Sequence, residues 1–269
     1  MTEHILAHLK EHDGIWRTEA LQDVSYPADG NETCYQVEDK SFWFKHRNQI
    51  ILTLFQQHVT QDGLVLGVGG GNGFVSKALQ HAGYETMLLE PFLEGCRNAK
   101  HRNVKHIVHG TLGDAQFENS SFDAVGLFDV LEHLEDRQSF LAEIARVLKP
   151  DVKLILSVPS FNHLWSEEDV DAGHFLRYTT KSLIEELAGE EFYPVFDSYI
   201  FSFLTGPIFF FRSLPNKLNL TLKRTAQADH TGRDWFSSLL SFEKARIKKQ
   251  RRIPYGSSLI AVCQKIKKK

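Results

Sequence analysis

From Leu64 onward, short apolar runs alternate with amphipathic segments, and the first run ends in a glycine-rich turn. Hydrophobic periodicity predicts strands at 64–68, 85–89, 106–108, 122–128 and 153–158. Helices are predicted at 74–81, ended by Gly83, from 92 to about 101, and at 137–148, stopped by Pro150. Such β-α alternation specifies a mostly parallel sheet with helices on both faces. A parallel sheet binds ligands beyond the C-terminal ends of its strands, near the point where the strand order reverses. The residues to search are therefore those after Val68, Leu89, Val108, Phe128 and Val158.

The first of these loops reads Val68-Gly69-Gly70-Gly71-Asn72-Gly73 and leads into a helix. Glycines at 69, 71 and 73 let the backbone turn sharply and approach a ligand, and the helix start offers unpaired N–H groups. Glu90 closes the next strand, where an acid can accept both hydroxyls of a ribose. A structural acid at a strand end is the alternative reading.

The segments 64–73, Leu89-Glu90-Pro91, Phe122-Asp123-Ala124-Val125, Leu131-Glu132-His133 and Leu148-Lys149-Pro150 resemble, in order and spacing, the class I S-adenosylmethionine-dependent methyltransferases, over roughly residues 40–200. The resemblance implies a three-layer α/β sandwich around a seven-stranded, mostly parallel sheet whose last strand is antiparallel. Residues 257–265 suit that strand. It implies S-adenosylmethionine as cofactor and S-adenosylhomocysteine as product, with Gly69, Gly71 and Gly73 in the cofactor loop and Glu90 on the ribose. It further sets Leu112 and Asp114 around the adenine and Phe128 at the sulfonium end. Arg47 matches an arginine that pairs with the ligand carboxylate in ubiquinone-pathway O-methyltransferases; a surface salt bridge is its alternative. The GxGxG spacing argues against the GxGxxG of a dinucleotide-binding oxidoreductase. One position departs from the family: Gly67 stands where an acid usually helps organise the glycine loop and the ligand's ammonium group.

Two clusters are candidates for work on the methyl acceptor. Asp129-Val130-Leu131-Glu132-His133 resembles the ExxEH motif that binds a divalent metal in some small-RNA and ubiquinone-pathway methyltransferases, with Asp in place of the first Glu. His133 as base or substrate-orienting group is favoured over a metal site, and no residue is assigned as a metal ligand. After the fifth strand, Asp171-Ala172-Gly173-His174-Phe175-Leu176-Arg177-Tyr178 resembles a segment of a bacterial methyltransferase subgroup. His174 is a second base, and Arg177 and Tyr178 are candidates to bind a polar acceptor. Alternatively, Gly173-His174 and Tyr178 anchor the helix that follows.

The chain divides into an N-terminal helical lid (1–62), a cofactor-binding core (63–203), an insertion with cover helices (204–253), and the last strand with a basic tail (254–269). The lid includes a loop around Tyr26-Pro27-Ala28-Asp29-Gly30. The aromatic stretch 199–211 reads as strand plus buried helix, and 235–252 as an amphipathic cover helix carrying Phe236, Leu239, Leu240, Phe242 and Ile247. Scattered Cys34, Cys96 and Cys263 indicate neither a disulfide framework nor a cysteine zinc site. No signal-peptide core or spanning run is found, so a cytoplasmic location is expected.

The net charge of −3 conceals an uneven distribution: from Lys244 onward there are ten basic residues, ending in Lys267, Lys268 and Lys269, and no acid. That end could contact a membrane surface or a polyanion, or be merely solvated. Nucleic acid is disfavoured as substrate, because Asp129-Val130-Leu131 stands where many nucleic-acid enzymes carry a DPPY- or NPPY-type segment. The expected activity is methyl transfer to a small or lipid-like acceptor, on oxygen by resemblance. The alternative is a non-catalytic binder of the cofactor or its product.

Overall fold

The structure, a computed structural model, describes residues 2–19, 27, 30–218 and 234–266. Its centre is one sheet of nine strands: β1 (Lys10–His12), β2 (Ile15–Arg17), β3 (Leu64–Val68), β4 (Glu85–Glu90), β5 (His106–His109), β6 (Phe122–Phe128), β7 (Leu148–Pro159), β8 (Phe192–Ile200) and β9 (Ser258–Lys265). The spatial order is β1-β2-β5-β4-β3-β6-β7-β9-β8. Strands β3 to β7 pair in parallel, and β9 runs antiparallel between β7 and β8. The seven expected strands are thus present, and two more extend the edge.

Those two correct the expectation of a purely helical N-terminal segment. β1 and β2 form a small antiparallel hairpin, and β2 joins β5 in parallel through Trp16↔Val108 and Arg17↔His109. Three-residue strands are too short to carry a period-two signal. Strand β7 also starts earlier than expected: Leu148 already pairs with Phe122, so the preceding helix ends at Val147 and Pro150 lies within the strand, next to a register shift.

Alternation along the strands builds the three layers. Leu64, Leu66 and Val68 of β3 face one core, with Leu141 and Ile144 of the Arg137–Val147 helix. Val65 faces the other, with Ile50, Ile51, Leu54 and Phe55 of the Phe42–His58 helix. Each fully buried aliphatic or aromatic side chain stabilises this arrangement by about 1.5–3 kcal/mol. Ser41 caps the Phe42–His58 helix, its Oγ accepting from Trp43 N at 3.2 Å.

The stretch 199–211 differs from its reading as strand plus buried helix. Tyr199, Ile200 and Phe201 are buried, whereas Phe210 and Phe211 are exposed. The cover helix spans Asp234–Lys248; it buries Glu243 and Ile247 and leaves Leu239 and Phe242 to solvent. The side chains of Trp235 and Phe236, Tyr26, Ala28 and Asp29 of the expected loop, and the last three lysines lie outside the described residues. No described helix is long and apolar enough to cross a membrane.

Glu243 fastens the cover helix. Its carboxylate accepts from Phe201 N (2.9 Å), Ser202 N (2.8 Å) and Ser202 Oγ (2.6 Å), and pairs with His46 Nε2 (3.2 Å). Burial alone would raise its pKa, but the bonds from His46, Ser202 and Phe201 outweigh that and hold it below the usual carboxyl range. Glu243→Ala is expected to lower unfolding free energy by about 3 kcal/mol in urea titrations at pH 7, because buried donors lose their acceptor. A lowered acid contributes stability that is present above the ordinary carboxyl range and lost as pH falls through its folded value. The difference between wild type and variant therefore shrinks in acid.

Candidate active site

The strand order reverses around β3, which has β4 on one side and β6 on the other. The loops after these three strands open onto a cavity of about 470 Å³. On its first wall, Gly69 and Gly71 adopt φ of 61° and 52°, a left-handed backbone that glycine adopts at little cost. Gly71 N donates to Glu90 Oε2 at 2.8 Å, while Glu90 Oε1 accepts from Phe92 N at 3.1 Å and Asn31 Nδ2 at 3.2 Å. Burial pushes the Glu90 carboxyl up to about 7, against the lowering effect of those three donors.

The opposite wall comes from the segments after β6 and β7. Asp129 follows β6 with a left-handed backbone (φ 56°); its Oδ1 accepts from Ser157 Oγ at 2.9 Å and its Oδ2 pairs with the Arg47 guanidinium. Glu132 is fully buried, and neither carboxylate oxygen receives a hydrogen bond from another side chain; burial pushes it up to about 8. The rings of His133 and His174 meet edge to face at 4.7 Å. Glu132, His133 and His174 each bring a ligand atom within 4.8 Å of the others, a set that could hold a divalent cation. Asp129 is not part of it.

Asp169 organises the His174 side. Its Oδ1 accepts from His174 Nδ1 at 2.8 Å and from Arg177 Nε at 2.8 Å, and its Oδ2 accepts from Arg177 Nη2 at 3.0 Å and Ser166 N at 2.8 Å. Although burial opposes it, these partners lower Asp169 to about 2 and keep it charged. With Nδ1 bonded to Asp169, His174 directs Nε2 elsewhere, and its ring lines the cavity.

Of the expected residues, Arg47, Gly69, Gly71, Glu90, Phe128, Asp129, Glu132, His133, His174 and Arg177 border the cavity. Four others do not line it. Gly73 begins the Phe74–His81 helix and packs against Ala99 and Val104. Leu112 is buried in the core, and Asp114 accepts from Thr111 Oγ1 at 2.6 Å at the start of a one-turn helix. Tyr178 is fully buried, its N–H donating to Pro159 O at 2.9 Å. The Arg177 fork is engaged by Asp169, so it orients this wall rather than standing ready for an acceptor. Sequence reasoning missed Asn31, whose helix carries no motif, and the role of Asp169, which lies in an acidic run that reads as a solvated surface.

Residues 66–156 match the family described as a methyltransferase domain. The chain carries a methyltransferase domain. A probable S-adenosylmethionine-dependent methyltransferase of Mycolicibacterium smegmatis is 26% identical over 50% of this chain and 52% of its own length. A ubiquinone biosynthesis O-methyltransferase of Idiomarina loihiensis is 31% identical over 50% of this chain and 59% of its own. The chain thus spans about half the length of the curated relatives it matches. The methyltransferase domain also superposes on a Haemonchus contortus phosphoethanolamine N-methyltransferase solved with S-adenosyl-L-methionine, with a TM-score of 0.57 at 14% identity, covering 89% of this chain and 59% of that one. At that identity the likeness shows the fold.

Within this domain the glycine loop and the β6 end are fitted to one another. A Cβ added at Gly69 would stand 2.6 Å from Val130 Cγ2, on a backbone with positive φ. Gly69→Ala is expected to cost about 1–2 kcal/mol from the backbone alone. The steric conflict adds to this, and calorimetric melting should show a lower Tm.

Proposed function

We propose that this chain transfers a methyl group from S-adenosylmethionine to an oxygen of a small, largely apolar acceptor. The observation that carries this reading is a single cavity in which the glycine loop and Glu90 face the paired imidazoles of His133 and His174. Its volume lies in the range of small-molecule pockets, roughly 300–1,000 Å³. The choice of oxygen is supported by the Idiomarina relative named as an O-methyltransferase.

The residues fit the cofactor. A carboxylate offers about four acceptor positions, and three donors reach Glu90, so a ribose hydroxyl can still be accommodated. Arg47 supplies a guanidinium for the ligand carboxylate, and Phe128 an apolar edge beside the sulfonium. When bound, S-adenosylmethionine supplies an electrophilic methyl group. The protein's share is to align the acceptor in line with it, exclude water and take the hydroxyl proton. His174 is suited to the proton: Nδ1–H donates to Asp169, Nε2 carries the lone pair, and the anionic Asp169 stabilises the imidazolium that forms. Asp169 is a positioning residue, and His133 orients the acceptor beside His174.

A second reading is favoured by the buried Glu132 carboxylate, which with His133 and His174 could hold a divalent cation on the acceptor side. The two readings separate on chelation. With His174 as base, EDTA-treated protein keeps its rate of labelled methyl transfer, and His174→Ala lowers kcat by about 10²- to 10⁴-fold. Loss of activity in EDTA, restored by Mg²⁺, assigns the cluster to the metal.

Cofactor affinity should depend on pH through Glu90. Its folded value of about 7 lies above that of a free glutamate, so its contribution to stability is full in acid and lost as pH rises through 7. Ribose hydroxyls donate to the ionised carboxylate, so binding below that value expels a proton. Calorimetry should show the association constant falling about tenfold per pH unit below 7 and level above it. Glu90→Gln should bind more weakly and without that slope. Absence of any binding heat from folded wild type at millimolar ligand overturns the cofactor assignment.

A further inference from the structure

Four carboxylates border the cavity: Glu38, Glu90, Asp129 and Glu132. Glu38 is spent on Asn72 Nδ2 and the Arg102 guanidinium. Glu90 is held by three donors at the end of β4. Glu132 lies fully buried with the histidine pair. Asp129 differs from all three: its side chain keeps 24% exposure, and its partner Arg47 comes from the separate Phe42–His58 helix.

The location of this ion pair is specific. Asp129 directly follows β6, with its N–H donating to Ser157 O at 2.9 Å and its left-handed backbone turning it out of the strand. The adjacent Val130 fills the space in front of Gly69. Arg47 lies over the Trp43 ring at 4.7 Å and the Phe44 ring at 5.4 Å, which orient the guanidinium plane. One positive and one negative group therefore stand side by side where the glycine loop meets β6, the arrangement that matches a zwitterionic α-amino acid.

We infer that the Arg47–Asp129 pair is the receptor for the amino-acid end of the methyl donor, with Arg47 taking its α-carboxylate and Asp129 its α-ammonium group. Asp129 thereby supplies from β6 the negative charge that Gly67 leaves out of β3, and it belongs to donor binding rather than to the acceptor cluster. The inference rests on the S-adenosylmethionine reading above. Its electrostatic logic is exchange: without ligand the two side chains neutralise each other in a largely desolvated wall, and on binding each changes one charged partner for another. No charge is left buried and alone, the state that costs most. A ligand without the ammonium group would part the pair and leave Asp129 uncompensated.

Calorimetry with three nucleosides tests this: S-adenosylhomocysteine, its deaminated analogue, and 5′-methylthioadenosine, which lacks the amino-acid end. Wild type should prefer S-adenosylhomocysteine over the deaminated analogue by about 10- to 100-fold, the scale of a charged hydrogen bond. Asp129→Asn should erase that preference while binding methylthioadenosine within about twofold of wild type, which also reports an intact nucleoside site. Ser157→Ala, which keeps the carboxylate but removes the hydroxyl that holds it, should reduce the preference by several-fold and carries the test if Asp129→Asn does not fold. Equal losses for S-adenosylhomocysteine and its deaminated analogue in Asp129→Asn overturn the inference, as does a preference erased by Glu132→Gln instead. If wild type binds none of the three, it is the cofactor reading that has failed.

Discussion

A desolvated carboxylate at the end of β4 is the interaction on which the cofactor side of the cavity depends. Glu90 takes hydrogen bonds from three pieces of chain that are distant in sequence or fold separately: Gly71 of the glycine loop, Phe92 before the next helix, and Asn31 of the Gly30–Glu38 helix. The helix after β4 closes tightly on this acid because residue 95 is glycine. A Cβ there would lie 2.9 Å from Glu90 Cγ and 2.8 Å from Asn31 Nδ2. Taking a carboxylate out of water costs several kcal/mol unless donors replace the water. The raised Glu90 shows that three donors offset that cost only in part. What remains is a strong demand for further donors on the cavity side, which a ribose meets.

The parts of the site that were legible in the sequence are those made by consecutive residues. A strand, a glycine turn and a helix form one local unit, so Gly69, Gly71 and the chain's path past them follow from pattern alone. Glu90 and Phe128 were legible as strand ends. What escaped depends on distant side chains. Arg177 carries a fork suited to an anion, yet Asp169, eight residues earlier, occupies it. Leu112 and Asp114 lie in the expected loop after β5, but one turn of helix, capped by Thr111, sends Leu112 into the core. The β1–β2 hairpin escaped because its place in the sheet comes from pairing with β5, about ninety residues away, and not from its own periodicity.

Three strands leave the sheet by the same device. Asp129 after β6, Phe161 just beyond β7 and Phe201 after β8 all adopt φ near 60°, a conformation that costs a non-glycine residue about 1–2 kcal/mol. In each case the strained residue's N–H is taken up by another segment: Asp129 by Ser157 O, Phe161 by Tyr178 O at 2.8 Å, and Phe201 by the Glu243 carboxylate at 2.9 Å. Tertiary hydrogen bonds therefore hold turns that local preference would relax. The Asp129 turn leads directly into the Glu132–His133 segment, so its strain fixes both the donor and the acceptor walls. Strain of this kind concentrates where a site must be held in one arrangement.

The uneven charge of the chain has a geometric counterpart. The Phe42–His58 helix begins at the cavity with Trp43, Phe44 and Arg47 and ends at His58; beside that far end, Gln250 donates to Gln57 Oε1 and bonds to His58 Nε2. Lys265 donates to Leu148 O, at the start of β7, and pairs in register with Phe192, at the start of β8. The described cations from Arg246 to Arg252, together with Lys265, thus lie toward the end of the sheet opposite the cavity. A surface bound through them would leave the cavity mouth facing away, so an acceptor would have to reach it from solution. At 0.15 M salt their field decays over about 8 Å, too short a range to steer a charged acceptor across the depth of the sheet. Recognition of the acceptor therefore falls to the cavity wall built by β6, β7 and the segments that follow them.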